Sequence, residues 1–547
     1  MKGWQGKVLR IDLDKGTTAS EELPMEVAKE YIGGYGLASS YLTKEVDPGI
    51  DALGPQNKLV IAAGPLVGTS APSSSRYQVA SKSPLTGTIA CQNAGGHFGA
   101  AIKQAGYDAI IIEGRAKSPV YISINDNEIK IRPADDLWGK SVSDAERSIA
   151  RQTEGAQVIA IGQAGESLAA IASISDGGLW SAGGAGLGAV MGSKNVKAVA
   201  IKGTQPVAVA DPAGFKTAAD RMMARIQSER LTSMRLPAYG TGALVHSIND
   251  RGLLPTQNFK QGTFAAASKI SGEAVADNLL VRRFACFSCP VGCGRSIKGG
   301  GRAPELEHLW ALGSNCGIDD LSAIAKAANL CYEYGLNPVE TGAAIATAAE
   351  LAEKGAILPE GRMKFGDAAM MVELVQEMGQ MQDFGKVLAK CSRSLAEAYD
   401  HPDASVSIRE QAIAAYDPRG NDALALHYAT SLGNDDHLAL GLRLWAQADV
   451  SALKTAQDVT RASSSAGMCP LASFAASAEE VASLISAATG VRYDADALQL
   501  AGARIWSQER DFAKKAGVDL AGKLPARLET SPVANLLETY YEARGWK

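Results

Sequence analysis

Four cysteines restrict how this chain folds, because three of them form a close group whose partner lies far along the sequence. The group reads C-F-S-C-P-V-G-C and contains Cys286, Cys289 and Cys293, while Cys469 lies in the segment G-M-C-P. A proline and glycines interrupt the group, so it does not form an ordinary helix. If all four thiolates bind one metal centre, two remote parts of the chain must meet in the folded protein.

Three interpretations of this cysteine set are open. A [4Fe–4S] cluster is usually held by four thiolates, and three of them often lie close together in sequence. A structural zinc site of four cysteines has the same number of ligands, although such sites mostly use two knuckles of two cysteines each. Free cysteines also pack as small hydrophobic side chains, so four unrelated buried thiols are a third interpretation.

Length and composition exclude several classes of protein. A chain of 547 residues predicts about two to four domains. The formal net charge of −5 and the lack of a dense Lys/Arg run argue against nucleic-acid binding. The longest apolar runs have the length of a strand, so no membrane span is predicted. The N-terminus shows no apolar targeting segment, and eight cysteines are too sparse for a disulfide scaffold, so we expect a cytoplasmic protein.

The character of the sequence changes after about residue 205. Before that point, short β-like runs alternate with turn residues, and only two helical segments stand out, near 24–31 and 142–152. After it, most segments have the periodicity and the end signals of helices. We therefore expect an α+β protein with three domains. These are a β-rich base domain and two mainly α-helical domains, over residues 1–208, 209–410 and 411–547.

Three glycine-dense stretches, 32–36, 93–99 and 183–188, are candidates for phosphate contacts in the β-rich part. Glycine lets backbone amides approach a phosphate closely, although tight turns between strands are the simpler interpretation. The glycines that we select as candidates are Gly95, Gly96, Gly184 and Gly186. Residues 184–189 also fit G-x-G-x-x-A, but we expect no strand directly before them and find no acid about 20 residues on, which argues against a dinucleotide site. Arg76, among serines, is the candidate cation for a phosphate.

Further segments, in order along the whole chain, complete a recognisable pattern. They are G-K-V-L-R-I-D-L at 6–13, Y-I-G-G-Y-G-L at 31–37, S-K-S-P-L-T-G at 81–87, A-G-Y-D-A-I-I-I-E at 105–113, G-L-G-A-V-M-G-S-K at 186–194, L-W-A-L-G-S-N-C-G at 309–317 and Y-D-P-R-G at 416–420. Together with the cysteine group, they resemble the aldehyde:ferredoxin oxidoreductase family of tungsten-pterin enzymes.

The resemblance implies a cofactor between the β-rich base and the helical domains. In the family, a tungsten ion is held by two pterins, and one [4Fe–4S] cluster nearby passes electrons to ferredoxin. The resemblance makes Cys286, Cys289, Cys293 and Cys469 the cluster ligands. It also implies that Arg76 and Asn93 lie against the pterin phosphates and the Mg²⁺ that bridges them.

Two residues match the acid and the histidine that the family places beside the metal. The resemblance implies proton transfer for Glu307, and for His437 a hydrogen bond to the metal-bound oxygen or the substrate. His308 follows Glu307 directly, where relatives more often have a small residue. It is expected to add a second titrating group to the pocket.

The sequence departs from the family at the residues that hold the pterin rings. Two stretches match the family's D-x-x-G-L-D/C motif and keep its glycines, Gly335 and Gly467. Tyr332 and Ser464, however, occupy the aspartate positions, and residues 177–184 lack an arginine that relatives often carry. Phenol and hydroxyl groups accept weaker hydrogen bonds than a carboxylate. Either substitute groups hold the pterins, or the cofactor differs in form or number, or it has been lost.

The resemblance predicts an oxygen-sensitive enzyme with a tungsten (or molybdenum) bis-pterin. Its expected reaction oxidises an aldehyde to a carboxylic acid and passes the electrons to ferredoxin or to a dedicated electron-transfer subunit. A homo-oligomer is also expected. One alternative is an iron–sulfur electron-transfer or scaffold subunit that has lost the metal-pterin. The other is a reductase of the family that acts on an activated acid.

Overall fold

The computed structural model describes residues 1–176, 180–359, 363–432, 449–529 and 531–546. Two six-stranded sheets occupy the first 202 residues, and mostly helices follow. The predicted α+β class and the order of its β-rich and helical parts are confirmed. Among the described helices, none has both the length and the apolar character needed to cross a bilayer.

The two sheets are mixed. The strand order of the first sheet is Thr17–Glu22, Lys7–Asp12, Ala109–Glu113, Leu59–Ala63, Tyr77–Lys82, Ile89–Ala94. The order of the second is Trp180–Ala182, Ile174–Asp176, Gln157–Ala160, Val196–Lys202, Val120–Asn125, Glu128–Pro133. Each sheet contains one pair of parallel strands. In the first sheet Val8 stands opposite Ala109, and in the second sheet Ala198 stands opposite Tyr121. The remaining pairs are antiparallel.

The positions of the strands follow from their side chains. Leu59–Ala63 is apolar, buried along its whole length and located inside the first sheet. Thr17–Glu22 is polar, fully exposed and placed at the edge, where charged side chains discourage pairing with other chains. Residues from both sheets, such as Ile61 and Val199, share one apolar core, so the sheets form a single base.

The first 202 residues contain more helices than the sequence predicted. The helices here are Met25–Tyr31, Gly34–Glu45, Phe98–Gln104, Val142–Gln152, Gln163–Glu166 and Leu187–Ser193. Three of them begin in or directly after the glycine-dense stretches, so the interpretation of these stretches as turns between strands was wrong. Phe98–Gln104 and Leu187–Ser193 are buried on nearly all sides and show no amphipathic pattern by which to predict them. The strand Trp180–Ala182 also ends directly before Gly183, contrary to expectation, because three residues are too few for a recognisable alternation.

Helices make up most of the later part. They are Pro212–Ser228, Leu231–Arg235 (a π-helix), Leu236–Tyr239, Val245–Asn249, Gly272–Asn278, Leu306–Ala311, Leu321–Tyr334, Pro338–Glu353, Ala368–Gln380, Gly385–Leu388, Ser392–Ala398, Asp422–Thr430, Val450–Ala466, Ala478–Thr489, Ala495–Lys515 and Ser531–Arg544. Short 3₁₀ helices are Thr241–Leu244, Ala267–Ile270, Ser314–Cys316, Pro402–Ala404, Pro470–Phe474 and Ala526–Leu528.

Side-chain caps and backbone conformation explain where several of these helices begin and end. Asp320 accepts hydrogen bonds from the amides of Ser322 and Ala323, at 2.9 and 3.0 Å, and so caps its helix. Between the helices Gly385–Leu388 and Ser392–Ala398, Cys391 adopts a φ of 145°, which keeps the two helices separate. Two hairpins complete the fold. Their strands are Leu280–Phe284 with Gly294–Ile297, and Ser407–Ile408 with Gln411–Ala412.

Candidate active site

A cavity of about 250 Å³ lies where the β-rich base meets the helical segments and both hairpins. Many of the residues selected from the sequence line it, although they come from distant parts of the chain. These residues are Arg76, Asn93, Gly95, Cys286, Cys289, Cys293, Glu307, Tyr332 and Cys469.

The three clustered cysteines lie in the loop, residues 285–293, that joins the strands of the first hairpin. Two backbone hydrogen bonds hold this loop against the β-rich base. The amide of Phe287 donates to the carbonyl of Gly96 at 3.1 Å, and the amide of Ser73 donates to the carbonyl of Ser288 at 3.1 Å. The irregular loop therefore has a defined position without regular secondary structure.

Cys469 reaches the same cavity from the end of helix Val450–Ala466. Gly467 ends this helix with a φ of 93°, which favours glycine, and turns the chain toward the base. The amide of Cys469 then donates to the carbonyl of Ser73 at 2.8 Å. Ser73 therefore joins the segments that carry both parts of the cysteine set.

Arg76 is the cation beside this set. Its Nη2 lies 3.5 Å from the sulfur of Cys469, and its backbone amide donates to the carbonyl of Gly467 at 3.0 Å. Burial opposes the positive charge of Arg76, but the negative charge that Cys469 and Cys286 carry when deprotonated outweighs burial and raises the pKa of Arg76. Its buried Nε has no hydrogen-bond partner among the described residues, so the guanidinium still has a donor for a ligand.

Space and chemistry at the cysteines fit an iron–sulfur cluster. A Cβ atom on Gly95 would lie 2.8 Å from the sulfur of Cys286, so a side chain at this position would fill the space beside that thiol. Burial raises the pKa of the Cys286 and Cys293 thiols, and a bound metal centre would favour the thiolate forms. Among the described residues, no three or more His, Cys, Asp or Glu side chains lie close enough together to hold a single metal ion.

Glu307 lines the cavity from helix Leu306–Ala311. The amide of Ala415 donates to its Oε2 at 3.3 Å. Burial, together with the charge of Glu307, raises the pKa of the nearby phenols of Tyr416 and Tyr428. The carboxylate is half-buried, and two phenols that keep their protons stand close to it.

His308 is part of the cavity wall, but it does not add the expected titrating group. Its Nδ1 accepts a hydrogen bond from the amide of Glu305 at 3.0 Å, so Nε2 carries the proton of the neutral ring. Nε2 lies 3.3 Å from the hydroxyl of Tyr332. Burial lowers the pKa of His308 to about 4, and the ring is neutral at pH 7.

Several cavity residues were not predicted from the sequence. Arg302 forms an ion pair with Glu305 and lies 5.7 Å from the centre of the Trp180 ring. Glu340 and Gln411 also line the cavity. Arg302 follows three glycines and therefore looked like part of an exposed turn, and Glu340 looked like an ordinary acid in the first turn of a helix.

The other predicted site residues do not line this cavity. Three of these glycines lie where the packing leaves no room for a side chain. At Gly186, a Cβ atom would lie 2.6 Å from the carbonyl oxygen of Ala170, and at Gly335 it would lie 2.6 Å from the amide nitrogen of Gly162. At Gly467, it would lie 2.2 Å from a methyl group of Val67. The remaining ones are Gly96, Gly184 and Ser464, of which Ser464 lines a smaller cavity next to Cys469. His437 lies outside the described residues.

The sequence matches two family models over nearly its whole length. Residues 8–203 match the model described as the N-terminal domain of aldehyde ferredoxin oxidoreductase, and residues 217–547 match domains 2 and 3. The chain belongs to the aldehyde ferredoxin oxidoreductase family. It is thus a member of a family of oxidoreductases.

Whole-length relatives agree with this assignment. The chain is 40% identical to the tungsten-containing aldehyde ferredoxin oxidoreductase of Pyrococcus furiosus and 38% identical to that of Thermococcus kodakarensis. In both cases the match covers 100% of this chain and 97% of the relative. A WOR-like subunit of an aliphatic sulfonate oxidoreductase from Pyrococcus furiosus is 29% identical over 80% of this chain and 75% of that subunit.

The fold of this family member also matches a solved structure. The active-site complex BamBC of benzoyl coenzyme A reductase, bound to 1,5-dienoyl-CoA, has a TM-score of 0.86 with this chain. The match covers 100% of this chain and 95% of that one, at 24% identity. At this identity, the likeness establishes the fold alone.

Proposed function

We propose that this chain is a tungsten-pterin, iron–sulfur oxidoreductase that converts an aldehyde and water to a carboxylic acid, two electrons and two protons. The observation that carries the proposal is the meeting of both cysteine segments with Arg76 and Glu307 at one cavity. The sequence similarity to tungsten-containing aldehyde ferredoxin oxidoreductases, which extends over the whole chain, supports the choice of cofactor and of reaction. Ferredoxin is the proposed electron acceptor.

The four cysteines are the proposed ligands of one [4Fe–4S] cluster. They surround a space and do not meet at one point, and Arg76 supplies positive charge beside the thiolates. This arrangement suits a cluster of several irons better than one zinc ion. Cys286, Cys289, Cys293 and Cys469 would share its four irons.

The residues around the rest of the cavity fit the organic part of a metal-pterin. When bound, the metal-pterin would take up the two electrons of the oxidation. Arg76 would donate hydrogen bonds to its phosphates, with the Nε that has no partner among the described residues as one donor, and Asn93 would lie against the phosphates and their Mg²⁺. Tyr332 is positioned by His308 and would replace the family's aspartate as a hydrogen-bonding group.

Glu307 is the proposed carrier of a proton during turnover. It is half-buried at the cavity, and the amide of Ala415 orients its carboxylate. Burial and the charge of Glu307 raise the pKa of the Tyr416 and Tyr428 phenols, so these groups keep their protons and do not compete as bases. His437, which the resemblance places beside the metal, remains the proposed hydrogen-bonding partner of the substrate.

Metal analysis of anaerobically purified protein tests the proposal. We expect about four irons and one tungsten (or molybdenum) per chain, extractable pterin, and reduction of ferredoxin that depends on an added aldehyde. About four irons without tungsten, molybdenum or pterin would favour the scaffold alternative. One zinc per chain without iron would refute the cluster.

A further inference from the structure

One corner of the cavity has no assigned role. It consists of Glu340, in the first turn of helix Pro338–Glu353, and Gln411, in the hairpin strand Gln411–Ala412, and we call it the Glu340–Gln411 corner. The amide of Ala412 donates to Oε1 of Glu340 at 2.9 Å, which fixes the carboxyl group against the strand. Only 1% of Glu340 is exposed.

Two polar atoms of this corner lack partners. Oε2 of Glu340 and Oε1 of Gln411 are buried, and the part of the chain that the structure describes offers neither of them a hydrogen bond. A buried polar atom without a partner is unfavourable. Both residues line the cavity, so a ligand there is the natural partner for these atoms.

The corner combines one donor with one acceptor. Burial raises the pKa of Glu340 to about 8, so at neutral pH this carboxyl keeps its proton and Oε2 donates. The amide Oε1 of Gln411 accepts. A hydroxyl group matches this pair chemically, because it can accept a hydrogen bond from one atom and donate one to the other.

The corner also lies on the wall that orients the proposed proton carrier. The amide of Ala412 binds Glu340, and three residues on, the amide of Ala415 binds Glu307 at 3.3 Å. Both carboxyl groups line the same cavity, so a small molecule that extends along this short segment can reach both of them. The reacting group of a substrate belongs at Glu307, and a substituent of the same molecule belongs at the Glu340–Gln411 corner.

We propose that the Glu340–Gln411 corner binds a hydroxyl group of the substrate and thereby selects hydroxyaldehydes over alkyl aldehydes of the same length. The proposal rests on the proposed function, since it concerns the substrate of that reaction. A pocket built to bond a hydroxyl discriminates strongly against an analogue that lacks it, because its own polar atoms then stay unpaired.

Matched pairs of aldehydes test the proposal on the metal-loaded enzyme. The pairs are glycolaldehyde with propanal and 3-hydroxypropanal with butanal, in which a hydroxyl replaces a methyl group. We expect kcat/KM to favour the hydroxyl member of at least one pair by about tenfold or more. Glu340→Leu and Gln411→Leu should each abolish that preference, and Glu340→Gln, whose amide still donates, should keep part of it. Glu353→Gln, an exposed glutamate of the same helix, is the control and should keep the full preference.

Each other outcome has a definite meaning. If the enzyme oxidises aldehydes without preferring the hydroxyl member of either pair, the hydroxyl site is refuted and the proposed function stands. If it is fully loaded with metal and oxidises no aldehyde, the proposed function fails and the hydroxyl site fails with it. If Glu340→Gln or Gln411→Leu loses tungsten or pterin, the corner binds the cofactor and the proposal is overturned. Should Glu340→Leu fail to fold, Gln411→Leu and Glu340→Gln decide.

Discussion

Two walls of the same cavity differ in the charged side chains that surround their functional groups. The cysteine wall consists of Cys286, Cys289, Cys293 and Cys469, with the guanidinium groups of Arg76 and Arg302 beside the thiols. The carboxyl wall consists of Glu307, Glu340 and Gln411, held by the backbone of residues 411–415. Within the described residues, Glu340 forms no ion pair, and burial keeps it protonated.

This difference indicates that the two walls have separate roles in the proposed reaction. A cluster with four thiolate ligands is negatively charged, and adjacent cations stabilise that charge in a buried site. The buried carboxyl group of Glu340 keeps its proton at neutral pH and can donate a hydrogen bond to a small molecule, whereas Glu307 is the proposed proton carrier. We infer that the cysteine wall handles electrons and the carboxyl wall handles protons and substrate. The predictions below, from the largest effect to the smallest, test this separation.

Removal of one cluster ligand should abolish the cysteine wall's function. In Cys469→Ala, we expect loss of most of the about four irons per chain, of the broad visible absorption and of ferredoxin reduction. Iron analysis and absorption spectra of anaerobic protein measure this. Cys316→Ala, at a buried cysteine outside the cavity, is the control. Unchanged iron in Cys469→Ala would disprove the ligand assignment.

A substitution on the carboxyl wall should lower turnover and leave the iron and tungsten contents unchanged. Glu307→Gln keeps the shape of the side chain but removes its ability to carry a proton. We expect turnover to fall by roughly 10²–10⁴-fold, with iron and tungsten contents equal to those of the wild type. Steady-state kinetics and metal analysis of the same samples check this. Loss of metal in this variant would show that the two walls are not independent.

A smaller effect is expected from one added methyl group at the cysteine wall. In Gly95→Ala, the new Cβ would lie 2.8 Å from the sulfur of Cys286, so that sulfur or the loop must move. We expect iron content to fall by roughly twofold or more. Gly49→Ala, in an exposed turn, is the control for the substitution itself. Full iron content in Gly95→Ala would mean that the cluster does not need this space.

The smallest effect concerns pH and the carboxyl wall. The pKa of Glu340 is raised from 4.5 to about 8 by burial, so its contribution to stability falls as pH rises from about 4.5 to 8. Glu340→Gln removes the unfavourable ionisation of a buried carboxyl group. We expect its thermal unfolding midpoint to exceed that of the wild type by about 1–3 °C at about pH 8.5, and by less near pH 5. An equal difference at both pH values would show that Glu340 does not titrate in this range.

Much of the β-rich base was predictable, since alternating or continuous apolar runs mark strands such as Leu59–Ala63. Helices buried on all sides, such as Leu187–Ser193, were not, because amphipathic periodicity needs an exposed face. The domain boundaries at residues 208 and 410 stay predictions. The roles of the site residues stay predictions as well, and the structure adds where those residues lie.

The sequence by itself identified the family and the four cysteines proposed to bind a metal centre, because cysteine spacing and the ordered family segments are properties of the chain itself. It also determined the order of β-rich and helical parts. Only the tertiary structure decided that Glu340, Gln411, Arg302 and Trp180 share a cavity with the cysteines. The physical reason is that burial and the lack of a partner are properties of the packed molecule, and no spacing along the chain encodes them.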